Sequence, residues 1–219
     1  MAKTILTKRQ RHLLNLLSGQ TAITKNFYLS GGTALAEYYL HHRYSEDLDF
    51  FSLDEVVPMD IQIIFKKIQK KAEIRTIDFQ QSFNRNLFFL HFDEEVIKTE
   101  FTYYPFITLE KPKDVGGLRI DSLIDIAVNK TFTIYQNPRS RDFIDLYLIM
   151  KAKNWSFAFL REKARMKFDT HIDSLQMASQ LLRVKDLKDY PQMIGKMHFN
   201  ELEEFWISQA ASLKTEVLK

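Results

Sequence analysis

Two aspartates stand one residue apart in Asp47-Leu48-Asp49-Phe50-Phe51, and their spacing poses a chemical question. Strands disfavour Asp and favour the aromatic residues beside it. Residues i and i+2 of a strand project from the same face, so the two carboxylates would stand side by side, about 7 Å apart. Their repulsion is small in water but several-fold larger in a half-buried site. A divalent cation removes the conflict, because carboxylate oxygens are the ligands Mg²⁺ prefers. The other reading is a solvated edge strand carrying a protective charge.

The residues upstream bear on that choice. Asn26 to Ser30 reads as a strand running into Gly31-Gly32, with a helix opening at Thr33. Free N–H groups at the positive end of a helix make a phosphate site, although a Gly-Gly pair also serves a simple tight turn. Arg43 can grip a phosphate bidentately or pair with Glu46. Ser45 can donate to a phosphate or a carboxylate, or cap a turn.

The elements that would position these groups follow from periodicity. Thr7 and Gln10 have the spacing of a capping box, ahead of Leu13, Leu14 and Leu17 on one helical side and a stop at Gly19. Pro58 opens a helix to about Lys71, with Ile61, Ile64, Phe65 and Ile68 at helical spacing. Strand-like runs follow in Glu73–Gln80, Asn86–Asp93 and Val96–Tyr104, with a turn at Asp93–Glu95. Asp114–Arg119 is a turn signal. From Asp121 onward helical patterns dominate: one stripe through Phe132, a break at Pro138, a second stripe through Met150, and three or four helices from Trp155 to Leu218. The expected class is α+β. A small mixed sheet flanked by helices, residues 1–120, would be followed by a helical bundle, residues 121–219, that completes the active-site cleft.

Of the 219 residues, 45% are hydrophobic and 27% charged, a balance that supports a packed core. There is no cysteine, which excludes disulfides, thiolate zinc sites and a cysteine nucleophile and suits a cytoplasmic location. No apolar run approaches the roughly 18 residues of a membrane span. Lys8, Arg9 and Arg11 interrupt the apolar N-terminal residues, unlike a signal peptide. The net charge of +3 is unevenly spread. Lys3, Lys8, Arg9, Arg11 and Lys25 form one basic run, and Lys66, Lys67, Lys70, Lys71 and Arg75 another. Such patches bind phosphate backbones or are solvated helix faces.

The stretch Gly31 to Ser52, GGTALAEYYLHHRYSEDLDFFS, resembles the first motif of the AbiEii/AbiGii toxin family. This is a family of minimal nucleotidyltransferases in the DNA polymerase β superfamily. The matching residues are Gly31, Gly32, Thr33, Ala34, Leu35, His42, Arg43, Ser45, Asp47, Asp49, Phe50 and Phe51. Two later family motifs also match: Asp125 with Lys130, and Arg141, Asp142, Asp145 and Tyr147. The resemblance implies a third carboxylate from a neighbouring strand, for which Glu100 is the candidate, with Asp78 and Asp93 behind it. Read alone, Glu100 is also a strand charge that Lys98 can pair. The resemblance further implies that Asp47, Asp49 and Glu100 hold two Mg²⁺ ions. Gly31, Gly32, Thr33, Arg43, Ser45 and Lys130 would hold the phosphates of a nucleoside triphosphate. Lys130 is otherwise a solvated lysine. Asp142 and Asp145, i and i+3 on one helical face, repel unless a cation offsets them; Arg141 is one such cation, and the motif can serve packing as well as catalysis.

The expected function is transfer of a nucleoside monophosphate to an acceptor hydroxyl, with RNA as acceptor, the tRNA 3′ end being one that the resemblance implies. The family resemblance implies a toxin of a type IV-like toxin–antitoxin or phage-defence system with a cognate antitoxin. Two rivals stand beside it. One is a non-catalytic domain that keeps the fold to bind nucleotide or a partner. The other is a metal-dependent nuclease, whose E-x-K pattern is missing after Glu100.

Overall fold

A computed structural model describes residues 4–214 of the chain. Lys3 of the basic run, and Leu218 at the end of the expected helical tail, lie outside the described residues. The chain divides into two compact units, one ending at Ser122 and the other beginning at Leu123.

The first unit opens on α1 (Lys8–Ser18), whose capping box forms as its sequence dictates. Thr7 Oγ1 accepts from the Gln10 amide at 3.1 Å, and Gln10 Oε1 accepts from the Thr7 amide at 2.9 Å. A short helix, α2 (Thr21–Asn26), occupies the start of the expected strand, so β1 is only Tyr28–Ser30. Helix α3 (Gly31–Leu35) runs directly into a π-helical turn, Ala36–Leu40, closed by His41 at φ 49°. Then come β2 (Leu48–Ser52) and α4 (Pro58–Ala72), with Pro58 in the first turn where its missing N–H costs nothing. Strands β3 (Thr76–Ser82), β4 (Arg85–His91) and β5 (Val96–Tyr103) form an antiparallel meander. The turn signal at Asp114–Arg119 joins two more short strands, β6 (Lys113–Val115) and β7 (Leu118–Ile120), through Gly116 and Gly117 at φ 61° and 83°.

These strands make one seven-stranded mixed sheet in the order β3-β4-β5-β2-β1-β7-β6. β2 lies near its middle, parallel to β5 and antiparallel to β1, while β7 pairs parallel to β1. One face is apolar. Phe50 stacks on Phe101 with centroids 4.9 Å apart, and Phe65 of α4 meets Phe88 and Phe101 at 5.3 and 6.0 Å. Leu48, Phe50, Phe88, Leu90 and Phe101 on this face are all buried. The intervening residues of β2 and β4 are less buried, and the polar chemistry lies on their side.

The second unit is helical: α5 (Leu123–Gln136), α6 (Ser140–Lys153), α7 (Phe157–Phe168), α8 (Ser174–Leu182) with a 3₁₀ turn after it, and α9 (Phe199–Ser212). Pro138 lies between α5 and α6, as expected. Trp206 is fully buried among Phe143, Phe157 and Phe205, and its indole N–H donates to the Phe143 carbonyl at 3.2 Å. The architecture is thus the expected one, a mixed sheet with flanking helices followed by a helical C-terminal part.

Candidate active site

Sheet register puts the carboxylates together. Asp49 is the direct neighbour of Glu100 across the β2–β5 parallel pair and of Ser30 across the β1–β2 antiparallel pair. Directly paired residues share a face, so the Asp49 and Glu100 side chains project together. Asp47 joins them: its Oδ2 accepts from Lys98 Nζ at 3.1 Å, and Lys98 is two residues before Glu100, on the same side of β5.

The backbone under Asp47 is pinned from two directions. Gln10, buried at the start of α1, donates through Nε2 to the carbonyls of Ser45 and Glu46 at 3.0 and 2.9 Å. The Thr33 hydroxyl, from α3, donates to the Asp47 carbonyl. The expected phosphate ligand Thr33 is therefore engaged in holding Asp47 in place.

Gly31 and Gly32 leave room for side chains. A Cβ on Gly31 would fall on the Asp49 carboxylate, and Gly31 also takes φ 69°, which side chains resist. A Cβ on Gly32 would strike the Arg43 guanidinium and come within 3.2 Å of Ser45 Oγ. Arg43 is buried at 2% exposure and donates from Nη1 to the Tyr44 carbonyl at 2.9 Å. The structure therefore gathers Gly31, Gly32, Arg43 and Ser45 around one turn, with Arg43 inside it.

Two cations that sequence reasoning did not assign to the site meet the carboxylates. Arg85, the first residue of β4, makes a bidentate pair with Glu100, Nε to Oε1 and Nη2 to Oε2, both at 2.6 Å. Thr102 donates to Glu100 Oε1 at 2.8 Å. Burial pushes the Glu100 carboxyl up, but the hydrogen bonds from Arg85 and Thr102, with the charges of Arg85 and Lys98, outweigh it and hold the group below its usual range. Lys98, read in the sequence as a partner for Glu100, instead bonds Asp47. Only the register could have named Arg85, which stands opposite Thr102 and diagonal to Glu100. The weaker candidates pair elsewhere, Asp78 with His91 and Asp93 with Arg75.

Lys130 and Asp142 belong to the second unit and form a cluster there. Lys130 Nζ lies 3.0 Å from Asp142 Oδ1 and 2.7 Å from Asp145 Oδ2 and so offsets both acids, and Arg139 Nε, 3.3 Å from Asp142 Oδ2, adds a second cation. Asp142 also accepts from the Arg139 amide at 3.2 Å, at the start of α6. Burial raises the Asp142 carboxyl, but the Lys130 and Arg139 charges and the Lys130 hydrogen bond leave it lowered. Asp125 is paired with Lys167 at 2.7 Å, with both side chains sealed from solvent. Lys167 is 42 residues away in the chain, and no local spacing points to it.

Three carboxylates on one face are an all-oxygen donor set of the kind Mg²⁺ takes, and the room beside Gly31 is filled by the Asp49 carboxylate. Among the described residues, no three acidic or histidine side chains converge closely enough to hold an ion. Glu100 is turned to Arg85 and Asp47 to Lys98. The donor chemistry fits a divalent metal, with basic side chains standing against two of the three acids.

The chain is similar to known proteins in sequence and in fold. A protein from Aquifex aeolicus, described only as uncharacterized, is 32% identical over 203 residues, covering 92% of this chain and 94% of its own. The fold is similar to that of JHP933 from Helicobacter pylori, with TM-score 0.61, 18% identity, and coverage of 95% of this chain and 90% of that one. It is also similar to MenT4, a nucleotidyltransferase toxin from Mycobacterium tuberculosis, with TM-score 0.58, 16% identity, and coverage of 94% and 81%. No described helix is long and apolar enough to cross a membrane. The family model described as nucleotidyl transferase AbiEii toxin, type IV toxin–antitoxin system, matches residues 15–211, and the chain belongs to that family of nucleotidyltransferase toxins.

Proposed function

We propose that this chain moves a nucleoside monophosphate from a nucleoside triphosphate onto an acceptor hydroxyl of RNA, with release of pyrophosphate. The observation that carries the reading is the direct pairing of Asp49 with Glu100 on adjacent strands, with Asp47, just before β2, held to Lys98 of the same strand as Glu100. These residues would hold Mg²⁺, which supplies Lewis-acid stabilisation of phosphoryl charge and lowers the pKa of the attacking hydroxyl.

The remaining work is positioning and electrostatics. Gln10 and Thr33 fix the backbone that presents Asp47. Gly31 gives Asp49 its place, and the turn of Gly31, Gly32 and Ser45 is the phosphate-binding segment. Arg43 acts by shaping that turn from inside. In the helical unit Asp142 and Asp145 together fix the Lys130 ammonium. On this reading Asp142 is a positioning residue.

RNA as acceptor is supported by basic surface. Lys66, Lys67 and Lys70 line a groove of about 780 Å³ beside α4, where they outnumber the acids Glu73 and Asp93, the latter paired with Arg75, and such a lysine row can meet a phosphate backbone. The family description names a toxin of a type IV toxin–antitoxin system, which supports a cognate antitoxin as partner; action in the cytoplasm and a part in phage defence complete the proposal.

The test incubates purified protein with total bacterial RNA, Mg²⁺ and each α-³²P-labelled nucleoside triphosphate, beside an Asp47→Ala, Asp49→Ala double variant. Label in an RNA band with wild type alone is expected, and the band and nucleotide identify acceptor and donor. Shortened RNA would make the protein a nuclease. Nucleotide binding without turnover on RNA or protein would leave a non-catalytic binding domain.

A further inference from the structure

We propose that Arg85 is an exchangeable occupant of the carboxylate face, closing Glu100 to a divalent cation and leaving it for the triphosphate when metal binds. The proposal rests on the nucleotidyltransferase reading above. Both Glu100 oxygens are taken by the Arg85 guanidinium at 2.6 Å, and one also accepts from Thr102. A guanidinium does not shed its proton in proteins, so Arg85 and a metal ion at Glu100 repel each other. One must yield.

The structure indicates which one. The Glu100 side chain is 7% exposed and the Arg85 side chain 52% exposed. The acid is held in the sheet by its strand and by Thr102, while the base reaches it from the solvent side. The Arg85 backbone is fixed too. Preceding Asn84 donates through Nδ2 to the Tyr103 carbonyl at 2.7 Å, and the Tyr103 amide donates to the Asn84 carbonyl at 3.1 Å. Exchange therefore needs only rotation of the Arg85 side-chain torsions, with no movement of the strand.

A freed Arg85 stays beside the acidic face, where the charges of Asp49 and Asp47 already act on it. Once those charges are neutralised by metal, the strongest anion on offer is the metal-bound triphosphate, which a guanidinium fork matches geometrically. Arg85 thereby orders the binding events. Metal without nucleotide must displace a good ion pair for no return, whereas metal with nucleotide gives the guanidinium a new partner.

The test measures Mn²⁺ binding by electron paramagnetic resonance, without and with a non-hydrolysable nucleoside triphosphate, for wild type, Arg85→Ala, Arg85→Lys and Asp49→Ala. Without nucleotide, Arg85→Ala is expected to bind Mn²⁺ about tenfold more tightly than wild type, a shift typical of coupled sites. Arg85→Lys should fall between them. With nucleotide the advantage should vanish or reverse. Thermal unfolding guards against a damaged fold: Mn²⁺ should raise the Tm of Arg85→Ala by more than that of wild type, as linkage requires. Equal or weaker Mn²⁺ binding by Arg85→Ala, with Asp49-dependent binding intact in wild type, would overturn the exchange alone. Absence of Asp49-dependent Mn²⁺ binding in every protein would overturn the metal reading and the exchange with it.

Discussion

On the sheet, Glu100 is buried while its partner Arg85 reaches solvent, and Lys98 and Asp47 are each about a quarter exposed, at 27% and 28%. In the helical unit, Lys167 and Asp125 are at 1% and 0%, and Lys130 with Asp142 at 9% and 1%. Both regions oppose acids with bases at hydrogen-bond distance, yet they have different physical consequences. A cation that water can reach leaves its partner at small cost. A cation sealed with its partner cannot leave, because the charge left behind has neither water nor a counter-ion. The sheet cluster is suited to exchanging ions and the helical clusters to holding helices together.

The largest expected effect breaks a sealed pair. Lys167→Met should destabilise the protein by about 3–5 kcal/mol by stranding Asp125, read as a fall in the denaturant midpoint. The double change Asp125→Leu, Lys167→Met should recover most of the loss. If the single variant is as stable as wild type, the two regions do not differ as described.

Gly31→Ala comes next. It should cost about 1–2 kcal/mol for a left-handed backbone and a larger share of transfer activity, since its Cβ falls on Asp49. Gly116→Ala is the matched control: φ is 61° there, with nothing within 4 Å of the new Cβ. It should show the backbone cost while transfer of label continues.

A smaller effect is confined to acid. The Asp142 carboxyl is lowered in the folded chain, so it contributes stability above its unfolded pKa of about 3.9. That contribution disappears as pH falls through the lower folded value. Asp142→Asn should be less stable at neutral pH and lose less on acidification, giving a flatter acid limb in denaturant titrations. A limb as steep as that of wild type would assign the acid sensitivity elsewhere. Smallest of all, Lys98→Met should change stability by less than about 1 kcal/mol, because Asp47 keeps access to water. A larger loss by the same titration would place this pair with the sealed ones.

What could be read from the sequence was local. Thr7 with Gln10 and Pro58 act over one turn, and each stands where its spacing put it; of the two aspartates expected on one strand, Asp49 is in β2 and Asp47 lies just before it. The segment Thr21–Asn26 is a helix too short to show a period. The glycines at 116 and 117 marked a turn without revealing that short strands flank it, because three residues do not establish alternation. The π-helical turn before His41 left no signal at all. The side chains that distinguish the two clusters were the hardest to find. Arg85 reaches Glu100 across a strand pair, and Lys167 reaches Asp125 between helices α7 and α5. Such partners depend on register and packing, which spacing along the chain does not encode.

The sheet order also sets a timetable for synthesis. β2 is made with Asp47 and Asp49 in place, but its parallel neighbour β5, which brings Glu100, follows only after α4, β3 and β4. β1 waits longer for its outer neighbour β7. Such distant pairings form slowly, since the chain loses loop entropy before contacts repay it. A nascent chain that has not passed β5 has two of its three acids and an unpaired edge on β2. The full carboxylate face is therefore absent until nearly the whole first unit has left the ribosome.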